Sequence, residues 1–326
     1  MRTPDWMIFP ALLLANALGA HRVYAQSVAQ AAPAVSEESA SPRVLVIGDA
    51  SIEVDIHLGQ LDLDADDVVT WVRRAAEAVT VYYGRFPVRR ARVAITEGAG
   101  GGRSIHGTTW SNLGGVQGLT RMRLGQAVSK ADLEADWTMT HEFVHMALAS
   151  LPDQNHWLEE GLATYVEPIA RAQSGQLSAA DAWGGMLDGM HQGEPAAGDR
   201  GLDETHTWGR TYWGGALFCL TADVEIRRAT ANRKGLEDAL RAIVESGATI
   251  DTERSLPDLL RVGDLATGTT VLQDLYGSWK GTPITVDLDS LWAQLGIEGG
   301  PRGVVFREKA PLAEVRRSMT QRVSPE

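Results

Sequence analysis

The sequence predicts an α+β fold in which strands and one helix come first and helices dominate afterwards. Two observations carry this. Up to residue 124, segments with period-two alternation flank a single segment of helical period. Beyond residue 129 nearly every periodic segment repeats at three and four. The chain has 326 residues, 44% of them hydrophobic and 22% charged, enough for a sizeable core.

The chain begins with an export-like segment over residues 1–25. Arg2 starts it, a short apolar run follows, and Val23-Tyr24-Ala25 has the small-x-small form of a cleavage site. The apolar run is too short for a membrane span. The expected location is therefore the periplasm or the medium, with no stable membrane insertion once the segment is removed. Residues 26–42 are mostly Ala, Ser, Gln, Glu and Pro, a flexible-linker composition. A strand-and-helix lobe is expected over 43–151 and a mostly helical lobe over 152–326.

Residues 43–47 read as a strand. Residues 51–57 alternate Ile52, Val54 and Ile56 with Glu53, Asp55 and His57, a half-buried strand with its histidine on the polar side. Residues 64–83 form a helix with Val68, Trp71, Val72, Ala75, Val79 and Tyr82 on one face. Asp64, Asp66 and Asp67 suit its positive end. Residues 90–96 make another strand. Residues 97–118 are glycine-rich without either phosphate-binding pattern, and read as a loop over a cleft that carries His106 and Trp110. Residues 119–124 alternate again, a strand whose backbone would pair with an extended peptide if it borders the cleft.

The formal net charge of -12 argues against nucleic acid and against anionic membrane surfaces. Cys219, the one cysteine, excludes an intramolecular disulfide and a cysteine metal site. It lies in an apolar run, as a buried structural thiol does.

The chemistry concentrates in His141-Glu142-Phe143-Val144-His145. Ser129 and Asp132 form a capping pattern for a helix expected to run through His145 to about Leu151, before Pro152. At about 3.6 residues per turn His141 and His145 share a face. Two such histidines bind zinc, and a glutamate after the first is placed as general base. Catalytic zinc takes three protein ligands and keeps one position open. Glu160, fifteen residues after His145, is the candidate third ligand, and Glu159 is its competitor. Glu160 falls in a second helix that Asp153 or Asn155 can cap, where Gly161 allows close packing on the first. A buried carboxylate beside two buried histidines needs a cationic partner, which a metal supplies.

The stretch Trp157-Leu158-Glu159-Glu160-Gly161-Leu162-Ala163-Thr164-Tyr165 completes a likeness. With the histidine motif it resembles the gluzincin zinc metallopeptidases, which share a two-lobed, thermolysin-like catalytic domain with zinc in the cleft. The lack of a Gly-x-x-His continuation after His145 argues against the metzincin group. Residues 211–217 (Thr-Tyr-Trp-Gly-Gly-Ala-Leu) and 223–227 (Asp-Val-Glu-Ile-Arg) are similar to a stretch of the glycyl aminopeptidase family, with Gly214 where that family tends to have Lys.

The resemblance implies one zinc ion on His141, His145 and Glu160, Glu142 as base, Tyr212 as oxyanion donor, and a peptide or protein substrate. The Gly-x-Met-Glu-Asn motif that holds a free amino end in many gluzincin aminopeptidases is absent from residues 97–130, so aminopeptidase action is not implied. His156 and His206 are expected at the surface. The competing expectation is a zinc-binding scaffold without catalysis. Against it stands Glu142, because a structural site has four protein ligands and no base.

After the site, residues 169–205 read as an insert with a helix at 178–192. Further helices are expected at 212–231, 236–245, 256–262, 269–276 and 286–296, and a short strand at 303–306.

Overall fold

Alternation in residues 50–57 and 90–97 puts Ile52, Val54, Val93 and Ile95 on one face, and in the computed structural model these four side chains are almost wholly buried. The structure describes residues 42–98, 101–300 and 303–323. The expected export segment and the linker up to residue 41 lie outside the described residues.

Among the described residues a five-stranded sheet runs in the order β1-β2-β3-β5-β4. Its strands are β1 (Arg43–Ile47), β2 (Ala50–His57), β3 (Arg90–Glu97), β4 (Ile105–Ser111) and β5 (Gly118–Leu124). β1 and β4 are the edges and run antiparallel to their neighbours, while β2, β3 and β5 are parallel. Helix α1 (Ala65–Tyr83) links β2 to β3. Asp64 caps it by accepting from the Asp66 amide, and Gly84 ends it at φ +77°, where a side chain would be strained. Its apolar stripe, Val68, Trp71, Val72 and Val79, is buried. The opposite sheet face is polar, with Arg92 donating to Glu53 at 3.0 Å.

The glycine-rich run departs from expectation. Within it, β4 pairs with β5 from Ile105↔Leu124 to Ser111↔Gly118. β5 is therefore an interior strand, and β4 is the open edge beside the site. The β-branched and aromatic residues Thr108, Thr109 and Trp110 favour pleated backbone despite the surrounding glycines.

The helix expected from 129 to 151 is two helices. Ser129 and Asp132 form the capping box of α2 (Lys130–Ala135). At Asp136 the backbone is extended, with ψ 141°. Its half-buried carboxylate accepts the amides of Thr138 and Met139 at 3.0 and 2.9 Å and the Trp71 indole at 2.9 Å. It thereby starts a new helix, α3 (Thr138–His145). α3 stops at His145 because the chain beyond it is bonded elsewhere: Ile250 donates to the Met146 carbonyl and Ser150 donates to Thr252.

A short 3-10 turn at Asp153–Asn155 leads into α4 (His156–Gln173), which runs on through Pro168 into residues expected to be insert. Next come α5 (Ala179–Gly189), capped by Ser178, and a π-helical turn at Arg210–Gly214 continuing into α6 (Gly215–Ala229). Then follow α7 (Leu236–Glu245), α8 (Leu256–Thr267), α9 (Val271–Trp279) and α10 (Leu288–Leu295). The hairpin β6 (Ile297–Gly300) and β7 (Gly303–Phe306) precedes α11 (Ala313–Thr320). Of these, β6 and α11 have no counterpart in the sequence reading. Cys219 is buried, as expected. Among the described residues no helix is long and apolar enough to cross a membrane.

A buried ionic cluster ties the helices together. Asp223 on α6 accepts from Arg227 at 2.8 Å, from the Tyr165 hydroxyl of α4 at 2.8 Å and from the Leu236 amide that opens α7 at 3.0 Å. Arg227 also reaches Glu237 at 2.6 Å.

Candidate active site

His141 and His145 lie one turn apart on α3, and Glu160 comes from the first turns of α4. Glu160 Oε2 is 3.2 Å from His141 Nε2 and 3.7 Å from His145 Nε2. The three ligating atoms lie within 4.8 Å of one another. Zinc bonds of about 2.0–2.2 Å in tetrahedral array put neighbouring ligand atoms about 3.4 Å apart. The two glutamate–histidine separations bracket that value, and two imidazoles with one carboxylate are a donor set zinc takes, so the residues present fit the ion. Among the described residues no fourth His, Cys, Asp or Glu joins the group.

Burial raises the Glu160 carboxyl, but His145, the His141 hydrogen bond and His156 outweigh it and hold the group down at about 2. Glu160 is therefore an anion. Burial works against charge on His141, yet its bond to Glu160 leaves its pKa raised. Trp137 meets the His141 ring edge-on at 5.6 Å and helps to fix its plane.

Glu159 faces elsewhere. Its Oε1 accepts the Leu151 amide at 3.0 Å and its Oε2 contacts His156 Nδ1 at 2.8 Å. It braces the turn between the two helices and is outside the three-residue group. His156, expected at the surface, keeps 39% of its side chain exposed while it contacts both glutamates, with Nε2 3.5 Å from Glu160 Oε1. Asn155 does not cap α4 with its side chain. It donates instead to Asp203 at 2.9 Å, where the Trp157 indole arrives at 2.8 Å and the Tyr276 hydroxyl at 2.7 Å. Asp203 thus fixes the start of the helix that carries Glu160.

Glu142, on the same turn as His141, is buried and points at β4. The Thr109 hydroxyl donates to its Oε2 at 2.7 Å. Burial pushes its carboxyl up, against the pull of His145, His141 and Thr109. A raised carboxyl is the property a proton-transferring base needs near neutral pH. Gly107 makes the approach feasible, since a Cβ there would collide with the Glu142 side chain.

Tyr212 reaches the site from the π-turn. Its ring lies 6.4 Å from that of His141 and nearly parallel to it, at 16°. Burial, then the charges of Glu160 and Glu142, push its hydroxyl pKa up, so it stays protonated. Trp208 also stacks on the Tyr212 ring, at 5.8 Å. The π-turn is held by small residues. Trp213 fills space left by Gly189 and Gly193, where any Cβ would strike it. The buried Arg210 pairs with Asp199 at 2.8 Å and donates to the Gly193 carbonyl. Gly161 packs against the Gly215 backbone rather than against α3, so the close approach expected from it serves the tyrosine helix. Such wide turns recur at functional sites.

The structure thus brings together His141, Glu142, His145, Glu160 and Tyr212. His106 and His206 are exposed. Thr109, Gly107, Asp136 and Asp203 escape the sequence reading. Of these only the strand-forming Thr-Thr-Trp run carried a signal.

No family profile matches the chain, and no curated protein matches it. Solved structures do. An aminopeptidase N family protein from Idiomarina loihiensis superposes with a TM-score of 0.59 at 13% identity, over 78% of this chain and 49% of that one. An aminopeptidase A from Legionella pneumophila, in complex with aspartic acid, gives 0.50 at 16%, over 74% of this chain and 28% of that one. An M1 zinc metallopeptidase from Deinococcus radiodurans gives 0.48 at 17%, over 76% and 52%. The chain spans about half the length of the first of these. At such identities the likeness is one of fold. The chain shares its fold with aminopeptidase N family proteins, in agreement with the gluzincin resemblance in its sequence.

Proposed function

We propose that this protein is a zinc-dependent metallopeptidase that hydrolyses peptide bonds. The observation that carries the reading is the convergence of His141, His145 and Glu160 within 4.8 Å, with the buried Glu142 on the same helical turn. One zinc ion held by those three residues supplies Lewis acidity, which makes water a nucleophile near neutral pH and polarises the scissile carbonyl.

The chain's own groups do the rest. Glu142 takes a proton from the attacking water and returns it to the leaving amine nitrogen. The Tyr212 hydroxyl donates to the oxyanion that forms on the carbonyl. The open edge of β4 offers backbone groups with which an extended peptide pairs as an added strand. The catalytic domain is thermolysin-like and two-lobed, with residues 43–151 supplying the histidine helix and 152–326 supplying Glu160 and Tyr212. The Gly-x-Met-Glu-Asn motif is absent from residues 97–130, so the reading does not extend to aminopeptidase action. The N-terminal sequence directs the protein out of the cytoplasm, to the periplasm or the medium.

Glu142→Gln tests the reading. Turnover of a peptide library should fall by about 100- to 10,000-fold while zinc stays bound stoichiometrically. A variant that cleaves at the wild-type rate overturns the assignment of the base. Intact-mass measurement of the exported protein checks cleavage after Ala25.

A further inference from the structure

We infer that Thr109 and Thr120 form a hydroxyl relay that positions the carboxylate of Glu142. The inference rests on the peptidase reading above, and adds a positioning residue on β4 that acts through the base.

Thr109 Oγ1 lies 2.7 Å from Glu142 Oε2, 3.1 Å from the Glu142 carbonyl and 2.9 Å from Thr120 Oγ1. A hydroxyl has one proton and two acceptor sites. The nearest and most strongly accepting neighbour is the carboxylate, so the Thr109 proton goes there. Thr120 must then donate to Thr109, since two hydroxyls in contact need one donor. The order is Thr120 to Thr109 to Glu142. Thr120 is fully buried, and among the described residues Thr109 is its hydrogen-bond partner. Each donation polarises the next in a water-poor setting.

Register makes the relay possible. Thr109 and Thr120 are directly paired across β4 and β5, so their side chains share the face turned to α3. Two residues earlier on the same face is Gly107, where a Cβ would occupy the space of the Glu142 side chain. The glycine admits the carboxylate to the strand surface, and the threonine holds it there. A long, flexible glutamate is thereby reduced to one orientation, which general base catalysis requires.

The experiment compares Thr109→Val, Thr109→Ser, the double variant Thr109→Val/Thr120→Val and Glu142→Gln in the zinc-loaded protein. T109V keeps the side-chain shape and removes the donor. Its kcat should fall by about 10- to 100-fold, with KM and zinc affinity within about twofold of wild type. T109S should recover most of the rate. T109V also strands the Thr120 hydroxyl, which lowers thermal stability. The double variant removes that defect, so it should regain stability and remain slow. Recovery of kcat in the double variant would mean that the loss was structural and overturns the inference, as does a T109V rate equal to wild type. A crystal structure of T109V judges the placement without turnover: a Glu142 carboxylate that has not moved overturns the relay. A wild type that cleaves no peptide, or an E142Q that cleaves as well as wild type, counts instead against the peptidase reading.

Discussion

Glu159 and Glu160 are adjacent and chemically alike, yet their tasks differ. One helical step of about 100° turns Glu160 to the two histidines and Glu159 to the Leu151 amide. Glu160→Gln should weaken zinc binding by more than about a hundredfold, because even the loss of a supporting partner costs about 10- to 100-fold. Glu159→Gln should leave zinc stoichiometric. Equilibrium titration with a competing chelator distinguishes the two, and equal losses would contradict the assignment. Tyr212→Phe keeps the stacked ring and removes the donor. Its kcat should drop about 100- to 1000-fold with zinc retained, read from steady-state kinetics.

At the scale of elements, two junctions position the site. Asp136 ends one helix and begins the next, so the histidine helix starts at a point set by a half-buried carboxylate and the Trp71 indole. Asp136→Ala should cost about 1–3 kcal/mol, seen as a lower denaturation midpoint at unchanged slope. The seam between Gly161 and Gly215 sets how closely α4 meets the tyrosine helix. Gly161→Ala should cost about 1–3 kcal/mol by overpacking and lower kcat by shifting Tyr212. Both junctions bear on how much of the site the sequence disclosed. His141, Glu142 and His145 were legible because they share one helical turn and so depend on local geometry alone. The edge strand was not, since its glycines read as loop and its pairing to β5 is a long-range event. The break at Asp136 was masked by an uninterrupted helical pattern on either side.

Across the whole molecule, the site is assembled from α3, α4, the π-turn and the edge of the sheet, and the buried cluster around Asp223 holds the helices in register. Removing Asp223 takes one of Arg227's two carboxylate partners, leaving Glu237, and strands the buried Tyr165 hydroxyl and the Leu236 amide. Asp223→Ala should therefore destabilise by about 3–5 kcal/mol. On the proposed reading zinc would link the parts in a second way, because an ion held by two helices stabilises only the folded chain. Roughly a thousandfold excess of zinc over its Kd should contribute about 4 kcal/mol, so chelation should lower Tm and added zinc restore it. Differential scanning calorimetry with and without chelator checks this.

The sequence by itself determined the α+β order, the helix that presents two histidines and a glutamate, and the glutamate fifteen residues on. Those features follow from period, capping and spacing, which act over a few residues. Tertiary structure decided which of two adjacent glutamates faces the histidines, where the tyrosine ring lies, and what holds the Glu142 carboxyl. Each of these depends on how separate elements pack, and a strand buried in glycines shows its partner only once it is paired.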